Sequence, residues 1–125
     1  MNVSKTVLIV EDSQLLRDVL RDALVAGGFV TMEAENGKIG LEVALEKHPD
    51  LIFLDLMMPV MDGMELYQKL RTDDWGASVP VIMLTATKTE KITSWLNAEH
   101  LDFFMKDNCM MDEVVLRAKQ RLGLA

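Results

Sequence analysis

The chain has 125 residues, half of them hydrophobic, so it can bury one sizeable core but hardly two, and we expect a single domain spanning residues 1–125. The net charge of -7 and the isoelectric point near 4.7 argue against a surface that binds nucleic acid or anionic lipid, and favour cationic ligands or basic partner surfaces. The single cysteine, Cys109, excludes an internal disulfide, and the N-terminal apolar run is too short for a signal peptide or a membrane span. We therefore expect a soluble, cytoplasmic protein.

Short apolar runs alternate with segments of helical spacing along the chain. The runs are rich in β-branched or aromatic residues, which favours strands. The first helix has Asp12 or Ser13 as its N-cap and Gly27-Gly28 as its stop, and the second follows Asn36. In chain order we predict a strand at residues 6–10, a helix around 16–24, a strand at 29–34, a helix around 39–45, a strand at 51–54, a helix at 63–72, a strand at 79–85, a helix at 88–98, a strand at 101–105 and a helix at 110–122.

This alternation predicts a doubly wound α/β fold built from five βα units. The runs LIFL and VIML are apolar on both faces, as expected for strands of a parallel sheet that is covered by helices on both sides. We expect a five-stranded parallel sheet with the flavodoxin-like order 2-1-3-4-5. The first, third and fourth strands are then neighbours at its centre.

Polar residues stand where four of the predicted strands end. Glu11 and Asp12 follow the first strand, Asp55 follows the third, Thr85 ends the fourth and Lys106 follows the fifth. Ligands of open parallel sheets bind beyond the carboxyl ends of the strands. We therefore expect these five side chains to converge at one edge of the sheet.

Each of these residues also has an ordinary structural explanation when taken alone. Glu11 and Asp12 can decorate a helix N-terminus, and Asp55 can simply open a loop. Thr85 can be a strand-end residue, and Lys106 can be a solvated strand terminus. The hypothesis of a functional site depends on their occurring together.

Taken together, the residues favour a metal and phosphoryl site. Two like charges about 4 Å apart repel by about 4 kcal/mol at an effective dielectric constant near 20, so clustered carboxylates favour a cation. Hard oxygen ligands suit Mg²⁺, which takes one or two carboxylates together with phosphate oxygens. Asp55 can then act as a nucleophile that forms an aspartyl phosphate, while the metal and Lys106 offset the charge of the transferred group.

Four motifs, in their order and spacing, resemble the receiver domain of two-component response regulators, including chemotaxis regulators. They are LIVEDS, LIFLDLMMPVMDG, VIMLTA and the lysine of DFFMKD, and the resemblance spans essentially the whole chain. It implies that Glu11, Asp12, Asp55 and the backbone carbonyl of Met57 bind Mg²⁺. It also implies that Asp55 accepts a phosphoryl group from a histidine of a sensor kinase or phosphotransfer protein.

The resemblance further implies a conformational switch rather than an enzyme, with at most promotion of the domain's own phosphoryl transfer and dephosphorylation. Thr85 is expected to hydrogen-bond the phosphoryl group, and Phe103 to be the switch aromatic. Their reorientation remodels the face formed by the fourth helix, the fifth strand and the fifth helix. A downstream protein or a second copy of the chain is expected to bind there.

Four residues depart from the family pattern. Asp107 stands where a cis proline usually follows the lysine, and we expect a trans Lys106–Asp107 bond because a non-proline cis bond costs about 2.5 to 4 kcal/mol. Glu99-His100 replaces Gly-Ala, so the permissive helix stop is missing. Phe103 replaces the commoner tyrosine and lacks its hydroxyl.

Other functions remain open at this point. A flavodoxin-like ligand binder or a phosphatase-like enzyme is disfavoured, because no glycine-rich loop follows the first strand and no Asp-x-Asp motif occurs. Asp107 suggests a degenerate receiver that binds partners without phosphorylation. Trp95, in the stripe Ile92, Trp95 and Leu96, is either part of the core or a contact residue.

Overall fold

The fold is the predicted alternation of five strands and five helices. The computed structural model of the protein describes residues 4–125. The predicted element boundaries differ from the observed ones by no more than two residues, and a short 3-10 helix, η1, was not predicted. The elements are β1 (Thr6–Val10), α1 (Gln14–Ala26), β2 (Val30–Ala34), α2 (Gly37–Lys47), β3 (Leu51–Asp55), α3 (Gly63–Arg71), β4 (Val81–Thr85), α4 (Glu90–Ala98), β5 (Asp102–Met105), η1 (Lys106–Asn108) and α5 (Met111–Arg121).

The strands form one parallel sheet in the order β2-β1-β3-β4-β5, which confirms the predicted topology. Val10 of β1 pairs with Leu54 of β3, and Thr85 of β4 pairs with Met105 of β5. Because these pairs lie at the carboxyl ends of their strands, the residues that follow them emerge along one edge. The register thus brings the predicted polar residues to the same edge.

Helices cover both faces of the sheet. On one face α2, α3 and α4 bury residues such as Ala44, Leu66 and Leu96 against the sheet, and on the other α1 and α5 bury Leu20 and Val114. Every residue of β3 and β4 is buried, as the uninterrupted apolar runs predicted. Within residues 4–125, no helix has the length and apolar character needed to cross a bilayer.

The two ends of α1 follow the sequence signals. Ser13 rather than Asp12 is the N-cap, and its Oγ accepts a hydrogen bond from the amide of Leu16 at 3.3 Å. Gly28 adopts the left-handed conformation with φ of 97°, and the amide of Phe29 donates to the Leu24 carbonyl at 3.0 Å. This is a Schellman ending, in which glycine is favoured at the left-handed position.

Helix α4 ends in the same way without a glycine. His100 has a φ of 53°, and its amide donates to the Asn97 carbonyl at 3.1 Å. The amide of Leu101 donates to the Leu96 carbonyl at 2.9 Å, which completes the Schellman pattern. The permissive glycine is absent as expected, and a histidine takes the left-handed conformation at a steric cost.

Replacing that histidine is expected to stabilise the protein. His100→Gly removes the left-handed penalty, and we expect the free energy of unfolding to rise by about 1 kcal/mol in urea denaturation. Glu99→Gly is the matched control, because Glu99 has a right-handed φ of -89° and glycine there is expected to cost about 0.5 to 1 kcal/mol. Equal destabilisation by both substitutions would show that the strain is absent.

Candidate functional site

Three carboxylates meet at the carboxyl edge of the sheet. Asp55 is the last residue of β3 and Glu11 directly follows β1; both are buried, whereas Asp12 is exposed. Carboxylate oxygens of all three lie within 4.8 Å of one another. The predicted convergence of the acidic residues is therefore present.

Lys106 supplies a positive charge to this cluster. Its Nζ lies 2.6 Å from Glu11 Oε1 and 2.8 Å from Asp55 Oδ2, and only 20% of the lysine side chain is exposed. Among the described residues, these two buried oxygens receive no hydrogen bond of ordinary geometry. Within residues 4–125, the Lys106 ammonium group is thus the one ionic partner that these two buried acids share.

The electrostatics show that one lysine does not fully compensate the cluster. Burial raises the pKa of Glu11 to about 7 and also raises the pKa of Asp55, despite the opposing effect of Lys106. The pKa of Asp12 is lowered, chiefly by its hydrogen bond with Glu11. Burial acts to lower the pKa of Lys106, but its charged contacts with Asp55 and Glu11 outweigh this and raise it. A further cation is favoured here.

The donor set of the site suits Mg²⁺. It offers carboxylate oxygens, which hard divalent cations prefer, and two of these oxygens lack an ordinary hydrogen bond. The amide of Met57 donates to Asp55 Oδ1 at 3.1 Å, so the main chain of Met57 lies beside the central carboxylate. The exposed thioether of Met57 is a soft group that does not suit this ion.

Thr85 lies at the same edge, but its hydroxyl is engaged elsewhere. The side chain is buried, and Oγ1 donates to the main-chain carbonyl of Thr87 at 2.6 Å. The amide of Thr87 donates back to Oγ1 at 3.3 Å. The structure thus brings the three acids and the lysine together, and leaves the Thr85 hydroxyl bonded within its own loop.

Phe103 lies in β5 on the side of the sheet that α4 covers. It pairs with Met83 of β4 and is partly buried against the core of that face. Trp95 of α4 is also partly buried, and its ring meets Tyr67 of α3 edge-on at a centroid distance of 5.5 Å. Trp95 is therefore an edge residue of the core that ties α4 to α3.

The loop after Lys106 differs from the family pattern as expected. None of the peptide bonds described is cis, so the Lys106–Asp107 bond is trans. Lys106 begins η1, which ends at Asn108, and the side chain of Asp107 is exposed. The lysine reaches the two buried acids from this short helix.

Two residues near the site were not identified from the sequence as parts of it. A Cβ at Gly63, the first residue of α3, would lie 2.3 Å from the main-chain oxygen of Asp55, so only glycine allows this close approach. Arg17 of α1 donates to the main-chain carbonyl of Glu11 at 2.6 Å. The signal for Gly63 is the Asp62-Gly63 turn, whereas the contact of Arg17 depends on the path of the β1–α1 turn.

Comparison with known proteins agrees with this geometry. The sequence model of the family described as the response regulator receiver domain matches residues 7–119. The phosphate regulon transcriptional regulatory protein PhoB of Pseudomonas aeruginosa is 41% identical over 88 residues, which cover 70% of this chain and only 38% of PhoB. The polar-differentiation response regulator DivK of Brucella ovis is 38% identical over 84 residues, which cover 67% of this chain and 68% of DivK.

The structural comparison gives the same family. The chemotaxis protein CheY4 of Vibrio cholerae superposes with a TM-score of 0.84 at 26% identity, covering 96% of this chain and 99% of that one. These matches favour a receiver domain over a flavodoxin-like ligand binder or a phosphatase-like enzyme. With its profile match over residues 7–119 and this fold, the chain belongs to the response regulator receiver domain family.

Proposed function

We propose that this chain is a phosphorylation-dependent signalling switch in which Asp55 accepts the phosphoryl group. The observation that carries the proposal is the buried carboxylate of Asp55, 2.8 Å from the Lys106 ammonium and clustered with two further acids. Membership of the receiver family, whose members are signalling switches, supports it. We further propose that residues 1–125 act as one receiver domain.

The proposed reaction is transfer from a phosphohistidine to the Asp55 carboxylate. A carboxylate oxygen attacks phosphorus, the P–N bond breaks as the P–O bond forms, and the histidine nitrogen leaves with the bonding electron pair and takes up a proton from solvent. Lys106 offsets the negative charge of the phosphoryl group. Glu11, Asp12, Asp55 and the Met57 carbonyl would hold Mg²⁺, which when bound neutralises charge on the transferred oxygens.

The proposed switch uses Thr85 and Phe103. The Thr85 hydroxyl, now bonded to the Thr87 carbonyl, would turn to the phosphoryl oxygen and open space into which the Phe103 ring rotates. Phe103 lies on the face covered by α4, so its rotation would shift α4. The face formed by α4, β5 and α5 is then remodelled.

The proposed partners follow from the phosphoryl transfer to Asp55 and from the conformational switch. Upstream, a sensor histidine kinase or phosphotransfer protein donates the phosphoryl group; downstream, a protein target or a second copy of the chain binds the α4, β5 and α5 face. The net charge of -7 disfavours direct contact with nucleic acid or anionic membrane. The proposed location is the cytoplasm, where phosphoryl groups derived from ATP are available.

A stable phosphoryl mimic tests both steps. Beryllofluoride with Mg²⁺ is expected to move amide NMR signals across residues 86–106 far more than those of α2, because the switch lies next to α4 and β5. Beryllofluoride without Mg²⁺ is the control and is expected to leave both regions unchanged.

Two other outcomes would contradict the proposal in different ways. An unchanged spectrum in the presence of Mg²⁺ would favour the alternative suggested by Asp107, a module that binds partners without phosphorylation. Shifts confined to the residues around Asp55, with α4 and β5 unaffected, would show that the domain accepts phosphate without transmitting it.

A further inference from the structure

Arg17 holds the main chain of the turn that carries Glu11 and Asp12. It is the fourth residue of α1, and its guanidinium folds back over the β1–α1 turn. One terminal nitrogen, Nη1, donates to the Glu11 carbonyl at 2.6 Å and to the Asp12 carbonyl at 3.3 Å. The side chain is only 12% exposed, and its bond to the Glu11 carbonyl is partly shielded from water.

The same guanidinium also ties the turn to the neighbouring strand. Arg17 Nε lies 3.4 Å from Glu33 Oε1 on β2, and the Glu11 amide donates to the Ala34 carbonyl at 3.1 Å. The Ser13 amide donates to Glu11 Oε2 at 2.9 Å, which fixes the carboxylate relative to the turn. The orientation of the Glu11 carboxylate therefore depends on the main chain of the β1–α1 turn, which the hydrogen bonds from Arg17 hold in place.

We infer that Arg17 is a positioning residue of the metal site, fixing the main chain of Glu11 and Asp12 so that their carboxylates face Asp55. This inference rests on the proposed Mg²⁺ site. It assigns Arg17 no contact with the ion or the phosphoryl group. Partners that orient metal ligands typically change metal affinity by about 10- to 100-fold when they are removed.

The direction in which Mg²⁺ affinity changes when Arg17 is removed distinguishes a positioning role from a purely electrostatic one. Removing a cation near a cation site strengthens metal binding by Coulomb's law. Loss of the carbonyl contacts weakens it, because the ligands are no longer held in place. If Mg²⁺ binds more weakly when Arg17 is removed, the loss of positioning outweighs the electrostatic gain.

Arg21 offers a matched control on the same helix. It lies one turn further along α1 and also pairs with Glu33, at 3.6 Å, besides Asp18 and Asp22. Its hydrogen bonds go to carboxylates, with none to the main chain of the turn. Arg21→Met removes the same charge and an ion pair to the same acid, and leaves the carbonyl contacts intact.

The experiment is a Mg²⁺ titration of the wild type, Arg17→Met and Arg21→Met, followed by amide NMR shifts. We expect Arg17→Met to bind Mg²⁺ about tenfold more weakly than wild type, and Arg21→Met to bind within about twofold of it. In metal-free protein, the Ser13 amide signal is expected to move in Arg17→Met and to stay in place in Arg21→Met. Urea denaturation of each variant measures its stability separately.

The outcomes distinguish this inference from the proposed site itself. Arg17→Met that binds Mg²⁺ as tightly as wild type, or more tightly, would overturn the inference. If that variant does not fold, Arg17→Lys replaces it, with an expected loss of about threefold because lysine lacks the planar fork; wild-type affinity would again overturn it. A wild type that does not bind Mg²⁺, or an Asp12→Ala variant that binds it equally well, would overturn the proposed metal site and the inference together.

Discussion

Asp55→Asn is expected to reduce labelling from radioactive acetyl phosphate to background in the presence of Mg²⁺. Removing a catalytic nucleophile typically costs at least about 10³-fold in rate. The amide keeps an oxygen that can accept the hydrogen bond from the Met57 amide, so the fold is expected to remain intact. Circular dichroism and a urea denaturation curve check that the variant is folded.

Asp62→Asn is the matched control for this prediction. Asp62 lies in the loop that follows Asp55, is exposed, and caps α3 by accepting a hydrogen bond from the Glu65 amide at 2.9 Å. Asparagine caps helices as well as aspartate does, so labelling is expected to be unchanged. Equal labelling of Asp55→Asn and wild type would show that the phosphoacceptor lies elsewhere.

Lys106→Met is expected to have the largest effect on stability. It leaves the buried carboxylates of Glu11 and Asp55 without their cation, and breaking a buried ion pair in this way costs about 3 to 5 kcal/mol. The free energy of unfolding at pH 8 without Mg²⁺ is expected to fall by about 3 kcal/mol. Lys69→Met is the control, because the pair of Lys69 with Glu65 is half exposed and is expected to contribute less than about 1 kcal/mol.

The stability deficit of Lys106→Met is expected to depend on pH. In the variant, the opposing effect of Lys106 is lost, so burial raises the pKa of Glu11 and Asp55 in the folded state further above their values in the unfolded chain. Such groups destabilise the protein as pH rises through the folded-state pKa. The deficit should therefore be greatest at pH 8 and smaller at pH 5, and a deficit independent of pH would contradict this account.

The sheet and the edge that carries the acids were predictable because they follow from local rules. Apolar runs of strand length and helical spacing set the order of the elements, and parallel strands bring their carboxyl ends to one edge. Glu11, Asp55 and Lys106 each directly follow or end a strand, so their positions follow from the sheet alone.

The remaining details depend on how side chains and turns meet in three dimensions. In the sequence, Arg17 is an ordinary charged residue of a helix. Its contact with the Glu11 carbonyl depends on the path of the turn before α1. The left-handed conformation of His100 carries a steric cost and accompanies the main-chain hydrogen bonds that end α4. The Thr85 hydroxyl donates to the Thr87 carbonyl, a partner that depends on the path of the loop after β4 and not on the residue types.

The engaged hydroxyl of Thr85 has a consequence for background output in the proposed switch. A net hydrogen bond of about 0.5 to 1.5 kcal/mol favours the resting conformer roughly two- to tenfold over one in which the hydroxyl is released. The acceptor is the main-chain carbonyl of Thr87, which exists whatever side chain stands at that position. In the proposed switch, the shape of the loop at residues 85–87 would therefore set how often the unphosphorylated protein visits the active state, while the acids and Lys106 would set how fast it is phosphorylated. The active fraction of the unphosphorylated protein and its rate of phosphorylation could thus vary independently within one domain.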